Sequence, residues 1–468
     1  MKILLIEDED RSRRQAKELI GRAAPASQVT FASSRDEALS AIKDDAFDLI
    51  LCDLRIPPNA SSLDIDERHG LAVHAAARDK CPGTPVVFLT AFATKKNIRT
   101  QLSAGGTADI YGLTEYSMVQ LAEKDDLDDC ERIITELDLA LQSLGADCAV
   151  RSDDALDEMY LRAVQVYALQ TAHTNATVLA TPGLSGAPVG RVVLTSDIGS
   201  QASIFLKVVD RSAAADEYLR FNNFVPNRLQ PGYFAPFLPP MLAGLQKKAA
   251  LISTLGDEKC VSLFQVLRDD PNAAAESVKA LRAALSPWRS GASYYAKPLR
   301  LIREERCPDR YLTNRALDLS AYRTNEMRKV VVSHSIVHGD LHGENILIDG
   351  SGRPFLIDFG DLGIASSPID PITLELSIFF HKNGPARGSQ WGNDVDFSRW
   401  ADVDYYATGS PFEAFIRECR AWAMETDARE SVFAIAYAHA MRQLKYNDAN
   451  QEVVLKIAES ARAAMTKA

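Results

Sequence analysis

The sequence lacks the features of a membrane, secreted or nucleic-acid-binding protein. None of its apolar runs reaches the roughly 18 residues that cross a bilayer. The N-terminus passes from Lys2 straight into a short strand-like segment, without the long apolar stretch of a signal peptide. The net charge is −11, which argues against nonspecific nucleic-acid binding. We therefore expect a cytoplasmic protein that binds neither membrane nor nucleic acid.

Cysteine pairs are also missing. The seven cysteines are scattered and odd in number, and no Cys-x-x-Cys pair occurs. Structural zinc and a disulfide framework are therefore disfavoured. The chain has 468 residues, which is too long for one core, so about three domains are expected.

The first 145 residues alternate short apolar runs with helical patterns. Strands are predicted at 2–7, 28–31, 47–52, 85–89 and 117–122, and helices at about 10–22, 34–44, 70–80, 94–104 and 126–143. This alternation predicts an α/β domain, a doubly wound five-stranded parallel sheet. Working residues of such sheets lie at the carboxyl ends of the strands. The sequence places five polar residues there: Glu7, Asp8, Asp53, Thr90 and Lys124.

Three carboxylates among these residues predict a magnesium site. Glu7, Asp8 and Asp53 would repel one another unless a cation joined them, and oxygen ligands with an open position suit Mg²⁺. The metal would bridge Asp53 to an incoming phosphoryl group. Thr90 could donate its hydroxyl to the phosphoryl oxygens, and Lys124 could pair with their charge.

This segment resembles the receiver domain of two-component response regulators over residues 1–145. The resemblance implies that Asp53 is the phosphoacceptor and that Glu7 and Asp8 are metal ligands. It implies that Thr90 is the switch hydroxyl and Lys124 its cationic partner. It also implies a cognate sensor histidine kinase, or another phosphodonor, as partner.

Three features depart from that family. The loop from Arg55 to His69 is long and acidic, a glycine-rich stretch at 105–112 lengthens the exit of the fourth helix, and Leu121 stands where an aromatic switch residue is usual. Two alternatives stay open: a receiver fold that docks a partner without accepting phosphate, and an ordinary acidic Rossmann-like domain whose carboxylates fall together by chance. A connector helix is predicted within 146–172, and it could transmit the receiver state, form a homodimer or pack on the following domain.

Residues 175–209 predict three strands, with Lys207 inside an apolar run of the third. A buried lysine needs a partner. Glu217 on the following helical segment is the first choice and Asp216 the alternative, while a solvated edge lysine would need neither. Between the first two strands, a loop with glycines could let backbone approach phosphates; its candidate nucleotide-binding residues are Gly183, Ser185 and Gly186.

Near the C-terminus, Asp340 and Asn345 fall on a loop between two apolar strands, and Asp358 follows a further strand. This pattern would place a base, an amide and a carboxylate around one point. Phosphoryl transfer needs such parts: Mg²⁺ to neutralise the nucleotide phosphates, a lysine to orient them and a carboxylate to position the attacking hydroxyl.

These residues resemble the kinase fold, specifically its aminoglycoside phosphotransferase and choline kinase-like branch, and more loosely the ternary complex associated domains. The resemblance implies a bilobal α+β domain with an N-lobe at 173–255 and a C-lobe at 256–468. It implies that Asp340 is the catalytic base and that Asn345 and Asp358 hold Mg²⁺. Lys207 would orient the phosphates of ATP or GTP, and Glu217 would pair with Lys207.

Both resemblances together predict a response regulator in which phosphorylation of Asp53 controls phosphoryl transfer to a hydroxyl acceptor. The acceptor, a small molecule or a protein, is left open. The alternative is a non-catalytic signalling module whose kinase-like domain binds nucleotide or a partner protein. A DNA-binding regulator is disfavoured because no basic recognition helix stands out.

Overall fold

The computed structural model describes residues 1–90, 106–124, 126–180, 189–256, 259–313, 320 and 326–466. The chain divides into two compact units, Met1–Ala215 with Phe237–Leu255, and Asp216–Pro236 with Gly256–Ala468. Within the described ranges, no helix is long and apolar enough to cross a membrane. The domain borders expected after residues 145, 172 and 255 stay predictions.

The first unit begins with a parallel sheet. Its strands are β1 (Lys2–Ile6), β2 (Gln28–Ala32), β3 (Leu49–Asp53), β4 (Val86–Thr90) and, after a hairpin of β5 (Thr107–Ile110) and β6 (Leu113–Ser117), β7 (Val119–Glu123). The described helices are α1 (Asp10–Ala23), α2 (Arg35–Asp44), α3 (Glu67–Lys80) and α4 (Asp128–Asp147). The strand order is β2-β1-β3-β4-β7, which confirms the doubly wound sheet.

The hairpin corrects one expectation. The glycine-rich stretch does not simply lengthen a helix exit, because β5 and β6 pair in antiparallel fashion before β7 enters the sheet. Tyr111 and Gly112 at the turn have positive φ of 55° and 87°. Two successive positive φ values match the twist of a tight hairpin and are least strained with glycine. The helix expected at 94–104 lies outside the described residues.

A second sheet of the first unit has the order β12-β11-β10-β9-β8. Its strands are β8 (Ala149–Ser152), β9 (Asn175–Ala180), β10 (Val189–Thr195), β11 (Gln201–Asp210) and β12 (Lys248–Leu255), and helix α5 (Glu158–Gln170) lies between β8 and β9. Three of these strands were expected at 175–209. Strand β8, which pairs with β9 in parallel, was missed.

Helix α5 is the predicted connector helix, and most of it is buried. Asp157 caps its N-terminus by accepting hydrogen bonds from the backbone N–H of Met159 and Tyr160 at 2.9 and 3.2 Å. Tyr160, Ala163, Val164 and Val166 belong to one apolar core that also contains Ile3 and Leu5 of β1 and Leu206 and Ile252 of the second sheet. The receiver-like sheet and the second sheet therefore share a core.

The second unit is mainly helical with two small sheets, β13-β16-β17 and β14-β15-β18. Its strands are β13 (Val261–Ser262), β14 (Ser293–Pro298), β15 (Lys329–Val337), β16 (Ile346–Ile348), β17 (Pro354–Leu356) and β18 (Gly363–Ser366). After α6 (Arg211–Phe224), which joins the two units, its helices are α7 (Leu263–Asp269), α8 (Pro271–Leu285), α9 (Leu299–Arg306), α10 (Asp309–Thr313), α11 (Ile369–Phe380), α12 (Gln390–Asp394), α13 (Val403–Ala407), α14 (Glu413–Thr426), α15 (Arg429–Gln443) and α16 (Gln451–Ala464). Nearly all residues of helix α15 are buried.

Candidate functional site

The carboxylates of the first unit converge at one edge of the parallel sheet. Glu7 and Asp8 follow β1, and Asp53 is the last residue of β3. One oxygen from each of the three side chains lies within 4.8 Å of the others. Glu7 is 1% and Asp53 5% exposed. The sequence-based grouping of these three residues is therefore reproduced in space.

Lys124 lies at the centre of this group. Its Nζ is 2.7 Å from Glu7 Oε2 and 2.7 Å from Asp53 Oδ2. The backbone of β7 fixes it, because the N–H of Lys124 donates to the carbonyl of Thr90 at 3.0 Å. Thr90 itself is the buried last residue of β4. The structure thus brings together all five residues that the sequence singled out at the strand ends.

The acids of this site are costly to ionise. Burial raises the pKa of Glu7 to about 6, an effect only partly offset by the bond to Lys124. Burial likewise raises the pKa of Asp8 and Asp53. Burial lowers the pKa of Lys124, but its ion pairs with Asp53 and Glu7 outweigh that effect and raise it. A divalent cation would offset the repulsion among the carboxylates, so the donor set and its electrostatics fit Mg²⁺.

In the second unit, Asp340 sits on a loop held by backbone contacts. The N–H groups of His338 and Gly339 donate to the two oxygens of the buried Asp370 at 2.8 and 2.9 Å. His338 Nε2 lies 3.0 Å from the carbonyl of Ile357, a contact that ties this loop to the segment before Asp358. Gly339 has φ of +84°, and a Cβ there would lie 2.3 Å from the carbonyl oxygen of Asp361. The loop therefore needs glycine immediately before Asp340.

Asn345 and Asp358 flank the same loop. Asn345 Nδ2 donates to the carbonyl of Asp340 at 2.9 Å, which leaves its Oδ1 as a metal-binding atom. Asn345 also ties the two segments together, since its carbonyl accepts from the N–H of Ile357 at 3.1 Å. Asp358 has φ of +58°, a left-handed conformation that is uncommon for non-glycine residues and that aspartate adopts more readily than most. An amide oxygen and a carboxylate fit Mg²⁺ here as well.

Asp340 is held ionised. Its side chain is 30% exposed, and Arg442 Nη1 lies 3.3 Å from Oδ1. Burial raises the pKa of Asp340, but His342, Arg442 and Arg306 outweigh it and hold the pKa well below its usual range. Burial lowers the pKa of His342, so near pH 7 this ring is neutral and the lasting positive charge comes from the arginines. An ionised carboxylate can accept a hydrogen bond from an attacking hydroxyl.

The remaining predicted residues divide into three cases. Lys207 lies on β11 and is 9% exposed, so the alternative of a solvated edge lysine does not hold. Glu217 on α6 is 4% exposed, whereas Asp216 beside it is exposed. Burial therefore favours Glu217, although its pairing with Lys207 stays a prediction. Gly183, Ser185 and Gly186 lie outside the described residues.

Sequence reasoning missed Asp370, Arg306 and Arg442. The sequence does contain a signal for Asp370. The segment Pro-Ile-Asp-Pro-Ile begins an apolar helix, and an acid buried there needs hydrogen-bond donors. Arg442 ends the apolar run Ala-Ile-Ala-Tyr-Ala-His-Ala-Met on α15. That run indicates a buried cation, but nothing in it indicates that Asp340 is the partner.

Two family models match the chain. Residues 3–110 match the response regulator receiver domain, and residues 203–372 match the phosphotransferase enzyme family. The chain therefore carries a receiver domain followed by a kinase-like domain of the phosphotransferase enzyme type. A comparison with curated proteins returns no match.

Solved structures similar to this chain fall into the same two groups. A CheY-like receiver domain protein from Methanospirillum hungatei JF-1 is 23% identical, with 30% of this chain and 97% of that chain covered and a TM-score of 0.23. A thermostable mutant of aminoglycoside phosphotransferase APH(4)-Ia, in ternary complex with ADP and hygromycin B, is 13% identical, with 64% and 96% covered and a TM-score of 0.40. The amicoumacin kinase hAmiN, in complex with AMP-PNP, Ca²⁺ and Ami, is 12% identical, with 62% and 87% covered and a TM-score of 0.34.

Proposed function

We propose that this protein is a response regulator in which phosphorylation of Asp53 controls phosphoryl transfer from ATP or GTP to a hydroxyl acceptor. The observation that carries the proposal is Asp340 beside Arg442 on a hydrogen-bonded loop, in a chain that also holds Lys124 between Glu7 and Asp53. Each site has the groups that phosphoryl transfer needs, namely a carboxylate in place, oxygen ligands for Mg²⁺ and a cation.

At the receiver site, an oxygen of Asp53 would attack the phosphorus of a histidine kinase phosphohistidine or of a small phosphodonor. The bond from phosphorus to the donor breaks, and the donor leaves with that electron pair. Lys124, 2.7 Å from Asp53 Oδ2, and the hydroxyl of Thr90 would then bind the new phosphoryl oxygens. Mg²⁺ bound by Glu7, Asp8 and Asp53 would supply further charge neutralisation.

At the kinase-like site, Asp340 would accept the proton of the acceptor hydroxyl as the acceptor oxygen attacks the γ-phosphorus. The bond between the γ-phosphorus and the bridging oxygen breaks, and the nucleoside diphosphate leaves. Because neighbouring charges hold the pKa of Asp340 low, the carboxylate positions the hydroxyl and takes its proton late in the transition state. Asn345 and Asp358 would hold Mg²⁺, and Lys207 would orient the phosphates.

Control is supported by the connection between the receiver and the second sheet. Asp48 immediately precedes β3, the strand that ends in Asp53. Its Oδ1 accepts from Arg162 of α5 and from Gln246 before β12, each at 2.6 Å, and the side chains of Asp48 and Arg162 are 2% and 8% exposed. A shift of β3 on phosphorylation would therefore reach the sheet that carries Lys207 through buried contacts.

The compartment and phosphodonor form part of the proposal. All seven cysteines are free and buried, which suits the reducing cytoplasm. A cognate sensor histidine kinase is the natural phosphodonor there, and a small acyl phosphate can replace it in the test tube.

The first experiment labels the purified full chain with a radioactive small phosphodonor and Mg²⁺. Wild type should gain base-labile phosphate, Asp53→Asn should gain none, and Asp45→Asn, an exposed acid of the same unit, should label like wild type. Equal labelling of Asp53→Asn would remove Asp53 as the phosphoacceptor.

The second experiment measures nucleotide turnover and binding with and without beryllofluoride. Asp340→Ala should leave nucleotide binding nearly intact and slow transfer by about 10²–10⁴-fold, with the exposed Asp394→Asn as control. The response to beryllofluoride should vanish in Asp53→Asn. Nucleotide binding without any turnover, even into water, would favour the non-catalytic signalling module instead.

A further inference from the structure

Three basic side chains gather beside Asp340. Arg306 ends α9, Arg442 lies in the last turn of α15, and Lys445 follows two residues after that helix ends. Arg306 Nη1 donates to the carbonyl of Gly339 at 3.1 Å. Arg442 reaches Asp340 Oδ1 at 3.3 Å and Asp361 Oδ2 at 3.8 Å. We call Arg306, Arg442 and Lys445 the basic cluster.

The acids of this part of the molecule leave some hydrogen-bond donors of the cluster uncompensated. Asp370 accepts from the backbone N–H groups of His338 and Gly339, and its charge acts on Arg306 without a direct ion pair among the described residues. Asp340 and Asp361 lie within ion-pair distance of Arg442.

Arg306 shows this lack of compensation most directly. Its Nε and Nη2 are buried and have no hydrogen-bond partner in the described parts of the chain. Arginines commonly pair with a carboxylate or phosphate through this edge of the guanidinium, whereas in Arg306 the edge is closed to solvent and contributes through its charge. Burial, together with the charge of Arg442, lowers the pKa of Arg306 to about 10. The same causes lower the pKa of Lys445. Cations that depress one another in this way create a positive potential that favours an anion.

We propose that the basic cluster selects the acceptor, which is a hydroxyl compound carrying an oxyanion, a phosphate or a carboxylate, close to the hydroxyl that is phosphorylated. This inference rests on the proposed function, because it assigns the acceptor of the same site. Arg442 and Lys445 would attract the oxyanion, and the buried charge of Arg306 behind them would strengthen the potential. A cationic acceptor such as an aminoglycoside would be repelled.

The test with acceptors uses compounds that share a three-carbon skeleton and differ in the group, and hence the charge, at one end. Full-length protein with ATP and Mg²⁺ is offered glycerol, glycerol 3-phosphate, glycerate and 3-amino-1,2-propanediol, then a broader set of hydroxyl compounds matched in the same way. The anionic members should be phosphorylated in preference to the neutral and cationic ones, and the ratio of phosphate to carboxylate turnover identifies the oxyanion. Preferred turnover of a cationic member would overturn the inference while leaving the proposed function standing.

Binding tests the cluster without turnover. Inorganic phosphate is titrated into the complex with AMP-PNP and Mg²⁺, in which the γ-phosphate is already present. Phosphate should bind, and Lys445→Gln should weaken it about tenfold, the order expected for one partly screened charge. Lys456→Gln, which removes an exposed lysine of α16, should bind phosphate like wild type.

Two further outcomes separate the explanations. If Lys445→Gln raises the KM for ATP as much as it weakens phosphate, the cluster serves the nucleotide and the inference is wrong. If AMP-PNP does not bind at all, the proposed function fails. Phosphate titrated into the nucleotide-free chain then tests separately whether the basic cluster binds an oxyanion. Absence of phosphate binding in that case overturns the inference too.

Discussion

Replacing Asp48 by asparagine should destabilise the first unit by about 3 kcal/mol. Asp48 and Arg162 form an ion pair of 2.6 Å with side chains 2% and 8% exposed. Removing one partner of a buried pair costs about 3–5 kcal/mol, because the other charge remains buried without its counter-ion. Glu158, 71% exposed, still pairs with Arg162 at 3.0 Å, so the lower end of that range applies.

A double-mutant cycle isolates the pair. Arg162→Met alone should also destabilise the unit, and the combination with Asp48→Asn should cost less than the sum of the single changes by about 2 kcal/mol. The matched control is the pair of Arg132 and Asp129, 3.1 Å apart with side chains 62% and 69% exposed. Its coupling energy should stay below about 1 kcal/mol.

The assay follows the two units separately. All four tryptophans lie in the second unit, so their fluorescence during urea unfolding reports that unit, while hydrogen exchange reports β1, β3, β11 and β12 of the first. Asp48→Asn should speed exchange in all four strands and leave the fluorescence transition in place. A cost below about 1 kcal/mol, or faster exchange in β1 and β3 alone, would refute the claim that Asp48 joins the receiver to the second sheet.

Three further predictions concern the two sites. Burial raises the pKa of Glu7 to about 6, and a metal needs the carboxylate ionised, so the Mg²⁺ affinity of the receiver should fall from pH 7 to pH 5. Titration calorimetry of wild type and Glu7→Gln should show that this pH dependence of the Mg²⁺ affinity comes from Glu7. The stability of the metal-free protein should depend on pH in the opposite direction. A carboxyl group whose pKa is raised in the folded state stabilises the fold below its unfolded pKa of about 4.3, and this stabilisation is lost as the pH rises through the folded pKa. Lys124→Met should abolish the response to beryllofluoride, because it removes the cation 2.7 Å from Asp53; an undiminished response would exclude Lys124 from the switch. Gly339→Ala should abolish turnover, because its Cβ would collide with the carbonyl of Asp361. The control Gly352→Ala, at φ +83° with open space around it, should keep turnover. Equal effects in both variants would show that backbone strain alone is responsible.

The sequence predicted those parts of the fold and the sites whose determinants are local. Strand ends carry their own polar residues, so Glu7, Asp53 and Lys124 could be brought together from the alternation pattern alone. The hairpin of β5 and β6 was not predicted, because a glycine-rich stretch permits several conformations. The pairing of the two strands across Tyr111 and Gly112 selects one of them. Strand β8 was not predicted, because its four residues are too few to show the apolar–polar alternation of a strand.

The contacts that join these parts are long-range, and that is why they could not be predicted. Arg162 lies 114 residues from Asp48, and Arg442 lies 102 residues from Asp340. Each arginine stands in a largely apolar helix, so the sequence shows that a buried cation needs a partner, but not which acid supplies it. Local pattern thus locates the candidate reactive carboxylates. Tertiary packing brings Arg442 to Asp340 and Arg162 to Asp48. Through these two arginines the chain would acquire its own acceptor and its own mode of control.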